Sequence, residues 1–271
     1  MGKINDLKDQ ALATLRGKWG SFVGLTFIYI LLYSLATLMS GFDSLFAGSS
    51  FHGLAMVTST LGTFLAFLMI PMEFGYDVAF LHSSRQDLPA EIGDLFFGYK
   101  RFWHVFGTLV LKSLAIAAAL VPCMIVMAVL MVKFMDADSF NTAMAVVLVF
   151  LCCALMIPGV IVSLAYAMVP YILRDKPDYS CSEILVESRM MMKGHKGELF
   201  LLYLSFIGWG ILSALTFFIG LLWLAPYMQM TEFKFYEQLR AELDIPAEDN
   251  APFEEYMPVE EDTPVEDNVT L

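Results

Sequence analysis

The sequence predicts an all-α, polytopic transmembrane helix bundle with about six spans, kinked helices and an amphipathic helix at the interface. Three observations carry the prediction. Hydrophobic residues make up 58% of the 271-residue chain and charged residues 16%, whereas a soluble domain is nearer half apolar and about a quarter charged. The mean hydropathy is +0.66. Finally, charge is missing from Trp19 to Phe42, from Ser139 to Leu173 and from Leu199 to Thr231. Each run holds the roughly 20 apolar residues that a spanning helix needs.

The formal net charge of −12 belongs mostly to one end of the chain. Residues 242–271 hold 11 of the 28 acidic residues and no Lys or Arg, which leaves 17 acids against 16 bases in the body. A nucleic-acid surface would need a basic stripe, so nucleic acid is not an expected partner. Of the four cysteines, Cys123, Cys152 and Cys153 lie in apolar runs and Cys181 in a polar segment. No CxxC metal spacing occurs, and all four read as small buried hydrophobes.

The elements follow in order. Residues 1–18 are polar and mildly amphipathic, and the first span is expected at about 22–40. Gly20 and Gly24 stand as a GxxxG at its entrance, a candidate packing notch. The second span is expected at about 54–73, ending near Pro71 and Glu73, with 74–101 as a polar loop. The stretch Asp94 to Phe106 mixes aromatic and basic residues, with Tyr99 and Trp103 as interfacial belt residues. The third span, about 106–132, contains Pro122 and Lys112. A charge inside a span is a functional candidate. Lys112 can equally snorkel to the interface or pair with Glu73.

As a helix, the run from Ser139 to Leu173 would measure about 50 Å, too long for a hydrocarbon core of about 30 Å. A fourth span at about 141–169, kinked at Pro158 and overshooting, accommodates it. Ser180 and Glu183 have the spacing of a capping box, and Gly194 suits a C-terminal cap. Between them Ile184, Leu185, Ser188, Met191 and Met192 share one helical face. The last charge-free run divides at Thr216–Gly220 into a fifth span, 199–216, and a sixth, 220–239. The sixth is the least apolar, with Gln229, Glu232 and Lys234 in its second half, and five spans is the alternative. The chain thus reads as a membrane domain, 1–240, followed by an acidic disordered tail, 241–271.

With six spans, 14 of the 16 Lys and Arg fall on one side, Lys133 on the other and Lys112 inside. The positive-inside bias then puts both termini in the cytoplasm. Basic-aromatic steps precede each odd span, which suggests three successive hairpins. A catalytic constellation is not found: HExxH, a Gly-rich phosphate loop and a G-x-S-x-G elbow are missing. His52, His82, His104 and His195 show no ligand spacing, and no span carries paired carboxylates. Enzyme activity, a metal and a cofactor are therefore not expected. The remaining candidate is the basic cluster Arg174, Lys176, Arg189, Lys193, His195 and Lys196. Such a group attracts anionic lipid headgroups, which makes membrane lipids the expected partners. The acidic tail is a second candidate surface, for a protein partner.

The stretch IPGVIVSLAYAMVPYIL (Ile157–Leu173), followed by RDKPD, SRMMMKGHK, LFLLYLSFIGW and IGLLWLAPY, resembles a widespread family of bacterial integral membrane proteins known as a domain of unknown function. The likeness is close over 157–236, and RGKW (Arg16–Trp19) is similar to the family's N-terminal element. It implies six spans and a bacterial inner membrane, and names no substrate. A remoter likeness is to the membrane region of glycerophosphoryl diester phosphodiesterases, whose catalytic domain has no counterpart here. The reading that follows is a non-enzymatic membrane protein that binds or moves a lipid or amphiphile. A scaffold recruiting partners through its tail is the alternative.

Overall fold

In the computed structural model, residues 2–41, 52–135 and 142–243 are described, and every regular element among them is helical. The chain opens with α1 (Gly2–Leu15), α2 (Trp19–Ser40) and α3 (His52–Gln86). A 3-10 segment (Ile92–Arg101) leads into α4 (Phe102–Met135), and α5 (Thr142–Ala165) and the short α6 (Val169–Asp175) return. The rest is α7 (Cys181–Met191), α8 (Lys196–Leu204), α9 (Ile207–Leu215) and α10 (Leu221–Glu242). Five stretches are long and apolar enough to cross a membrane: Trp19–Ser40, Ala55–Gln86, Ile92–Leu130, Phe150–Asp175 and Lys196–Leu215. The chain is a multi-pass membrane protein. The sixth expected span exists as α10, but Gln229, Glu232, Lys234, Glu237 and Arg240 interrupt its apolar run.

Three hairpins, α2/α3, α4/α5 and α8–α9/α10, begin and end at one end of the bundle. Polar side chains pin that end. Lys18 at the start of α2 pairs with Asp87 just after α3 at 2.6 Å. Lys3 of α1 reaches Glu198 of α8 and Glu242 of α10, both at 2.9 Å. Asp175 sits at the centre: Arg85 donates to both its oxygens at 2.7 and 2.9 Å, Arg240 at 2.6 Å and the Tyr236 hydroxyl at 2.8 Å. Asp175 and Arg240 are both buried. One carboxylate therefore joins the inner ends of α3, α6 and α10.

The largest difference from the sequence reading is the length of α3. Residues 74–86, expected as loop, continue the helix past Pro71, and Phe74, Val78, Ala79, Phe80 and Leu81 are core. Phe22 stacks on Phe80 at 4.8 Å, and Thr26 shares a hydrogen bond with Tyr76 at 3.0 Å. The 3-10 segment packs back on this helix with backbone nearly touching backbone. A Cβ on Gly98 would stand 2.2 Å from the Pro71 carbonyl oxygen, and one on Gly75 2.2 Å from that of Leu95, so only glycine admits the contact. Part of the predicted headgroup-layer segment is thus core, with Leu95 and Gly98 buried, while Trp103 remains 78% exposed.

Other expectations fare unevenly. The break at Thr216–Gly220 is present, with Phe217 and Phe218 in the left-handed region. Gly194 has φ of 93°, as a C-terminal cap requires. The GxxxG is not a notch, because a Cβ on Gly20 or Gly24 would meet nothing within 4 Å. Cys152 is exposed rather than buried, and Cys123 and Cys181 are half-buried. The acidic tail from 244 onward lies outside the described residues.

Replacing Asp175 with Ala removes the acceptor shared by the buried Arg240 and the half-buried Arg85. Breaking a buried pair in this way costs about 3–5 kcal/mol. Thermal unfolding in detergent should register a loss of that order, and a variant as stable as the native chain would show that the junction contributes nothing.

Candidate functional site

The continuation of α3 changes which side chains meet inside the bundle. Glu73 and Asp77 stand one helical turn apart on one face. They face Lys112 and Ile116 of α4, Ser163 and Leu164 of α5, Ala167, Pro170 of α6, Tyr203 of α8, and Gln229 and Glu232 of α10 around one cavity of about 270 Å³. Glu73 is exposed, and Asp77, Lys112, Tyr203, Gln229 and Glu232 are half-buried. On α3, Asp77 lies about 12 Å along the helix from Arg85, and Glu232 is equally far from Arg240 on α10. The cavity therefore sits a little more than two turns inside the Asp175 junction.

A short chain of hydrogen bonds orients its lining. The Gln229 amide donates to Asp77 Oδ1 at 2.7 Å and to the Tyr171 hydroxyl oxygen at 3.0 Å. The Tyr203 hydroxyl donates to Glu232 Oε2 at 2.7 Å. Lys112 shares the cavity with Glu73 but forms no ion pair with it. Its ammonium faces a space lined by three carboxylates, which overturns the expectation that no span carries paired acids. Among the described residues no three His, Cys, Asp or Glu side chains could hold a metal ion together. The lining offers negative oxygens to a cation and one ammonium to an anion.

The residues of the basic cluster differ in their surroundings. Arg174 stacks over the Phe97 ring, 5.0 Å from its centroid. Lys176 pairs with Glu187 at 2.6 Å and lines a groove with Asp175, Tyr179 and Tyr236. Arg189 and Lys193 are exposed, and Lys196 is half-buried at the start of α8. His195 Nδ1 lies 3.7 Å from Glu198 Oε2. The amphipathic reading of α7 is accurate, since Ile184, Leu185, Ser188, Met191 and Met192 are all buried. The Ser188 hydroxyl donates to the Ala165 carbonyl at 3.0 Å, fastening α7 to the end of α5.

Asp77 and Glu232 escaped the sequence reading for a definable reason. Taking Pro71–Glu73 as a helix end moved Asp77 into a loop. Glu232 stood among Gln229, Lys234 and Glu237 in the least apolar span, where no partner acid was evident. The available signal was EFGYDVAFLH (Glu73–His82), whose acids are spaced i, i+4 and whose Phe74, Val78 and Leu81 keep helical period.

The chain matches the family model described as Protein of unknown function (DUF975) over residues 1–243. It belongs to that family, a group of membrane proteins by the fold seen here and one whose activity is not established. No curated protein and no solved structure matches the chain, so the likeness to phosphodiesterase membrane regions finds no support.

The Ser180 cap gives a test of the α7 segment. Glu183 accepts from the Ser180 backbone N–H and hydroxyl, both at 2.8 Å, and these bonds, the backbone one foremost, hold its carboxyl below the usual carboxylate range. An acid depressed on folding stabilises above its unfolded pKa and loses that contribution as pH falls through the folded value. Glu183→Gln should therefore speed amide exchange in the first turn of α7 at neutral pH and have little effect in strong acid. Equal exchange at neutral pH would contradict the cap.

Proposed function

We propose that this protein binds a small amphiphile or lipid from the membrane in a transport-like manner, taking its polar head into the cavity. The carrying observation is the set Glu73, Asp77, Lys112 and Glu232 around about 270 Å³ of space. Ionisable groups inside spans are costly and mark ligand or ion paths. The volume lies below the roughly 300–1,000 Å³ of sites that enclose a whole drug-sized ligand, so it suits a head group whose tail stays outside. The charge pattern suits a zwitterion, with an ammonium against Asp77 and Glu232 and a phosphate or carboxylate against Lys112.

By the positive-inside bias, the end bearing the Asp175 junction faces the cytoplasm, and the family resemblance implies a bacterial inner membrane. There the exposed Arg189 and Lys193 meet anionic headgroups at the surface, with Arg174, Lys176 and His195 engaged in local contacts. Surface cations of this kind attract such lipids by about 1 kcal/mol each. The scaffold reading assigns function to the acidic tail instead.

Native mass spectrometry of the full chain from mixed vesicles separates these readings. Phosphatidylethanolamine should be retained over phosphatidylglycerol. Asp77→Asn with Glu232→Gln should cut that preference about tenfold, or about 1.4 kcal/mol, the upper end of the net contribution of one ordinary hydrogen bond. Arg189→Gln with Lys193→Gln should lower only phosphatidylglycerol retention, and removing residues 244–271 should change neither. A preference that survives the cavity variant, or is lost with the tail, would contradict the reading.

A further inference from the structure

We infer that the third hairpin is re-entrant, with its Phe217–Phe218–Ile219 turn inserted in the hydrocarbon of the bilayer rather than delivered to water on the far side. The inference does not depend on what the cavity binds.

Length is the first ground. Arg85, Asp175 and Arg240 meet at one point. From it, α3 runs back to His52 as about 50 Å of helix, and the α6–α5 arm, broken at 166–168, runs back to Thr142 with about 46 Å of helix. By the same measure α10 ends at Leu221, about 29 Å away. The third hairpin therefore stops about 20 Å short of the other two.

The polar boundary is the second ground. Lys8 of α1 donates to the Ser205 carbonyl at 3.3 Å and lies 4.2 Å over the Phe206 ring. Helix α1 also exposes Asp6, Asp9 and Gln10, groups that belong in water or among headgroups. Only Phe206 to Phe218 then rises beyond that level, about 18 Å as helix, against a hydrocarbon core of about 30 Å. The stretch Lys196–Leu215 is apolar and long enough to cross, but its first half is spent beside the charged α1.

The turn itself is the third. Phe217 and Phe218 have φ of 51° and 64°, a region where a turn in water would place Gly or Asn. Their exposures are 90% and 65%, and Ile219 is 60% exposed, so the protein does not cover them. Meanwhile the backbone N–H groups of the turn are all satisfied from within. Each N–H from Thr216 to Leu224 finds an acceptor inside the hairpin, including that of Gly220, which donates to Thr216 Oγ1 at 3.2 Å. Lipid-exposed backbone must meet this condition because hydrocarbon supplies no hydrogen bonds. Uncovered aromatic side chains on a turn whose N–H groups are all internally bonded fit acyl chains.

The test is spin labelling of the full chain in lipid vesicles, at Phe218→Cys with Cys123, Cys152, Cys153 and Cys181 replaced by Ala. Collision with oxygen should exceed collision with a water-soluble nickel chelate several-fold, giving a depth inside the acyl region. Strong nickel access would put the turn in water, and low access to both would put it inside protein; either result overturns the inference. Should the cysteine-free chain fail to fold, Trp19→Phe, Trp103→Phe and Trp209→Phe leave Trp223 as a depth reporter. Its fluorescence should be quenched more by lipids brominated near the chain ends than near the headgroup. The reverse order, or quenching by aqueous iodide, overturns the inference equally.

Discussion

Asp175 accepts from Arg85, Arg240 and the Tyr236 hydroxyl at once, and the positions of three hairpins follow from that meeting. In lipid, apolar helices gain little from touching each other rather than acyl chains, so packing and interhelical polar contacts must bring them together. The buried core lies at the end of the bundle where this junction sits, in Met72–Leu81, Leu164–Leu173 and Leu224–Leu239. The opposite ends of α2, α3, α4 and α5 carry exposed Leu, Val, Ile, Met and Phe. The protein is thus organised as a packed polar-anchored base with apolar arms extending from it.

That base also determines where charge is tolerated. A carboxylate inside a span is held by dipoles and hydrogen bonds or by opposite charge. Asp77 has Gln229, Glu232 has Tyr203, and Lys112 faces both across the cavity. Because the junction fixes α3 against α10 about two turns away, Glu73, Asp77 and Glu232 converge although α3 and α10 lie far apart in the sequence. The cavity is consequently a product of the junction.

Much of the architecture was legible in residue pattern. Runs without charge locate the spans, Ser180 and Glu183 announce the α7 cap, and the apolar face from Ile184 to Met192 is buried as its spacing requires. Proline misled: Pro71 reads as a helix end, yet α3 continues through it with its carbonyl packed against Gly98. That single boundary concealed Asp77 and the core from Phe74 to Leu81. The convergence of Asp77, Lys112 and Glu232 is a tertiary fact with no local signature. Of the basic cluster, conspicuous in sequence, Lys176 pairs with Glu187 while Arg189 and Lys193 stay exposed.

An experimental structure of the full chain in phosphatidylethanolamine nanodiscs tests the central claim most directly. Head-group density between Asp77, Lys112 and Glu232, continuous with an acyl tail leaving past Ile116, is the predicted result. A cavity holding only water, with ordered lipid confined to the outer surface of the bundle, would contradict it.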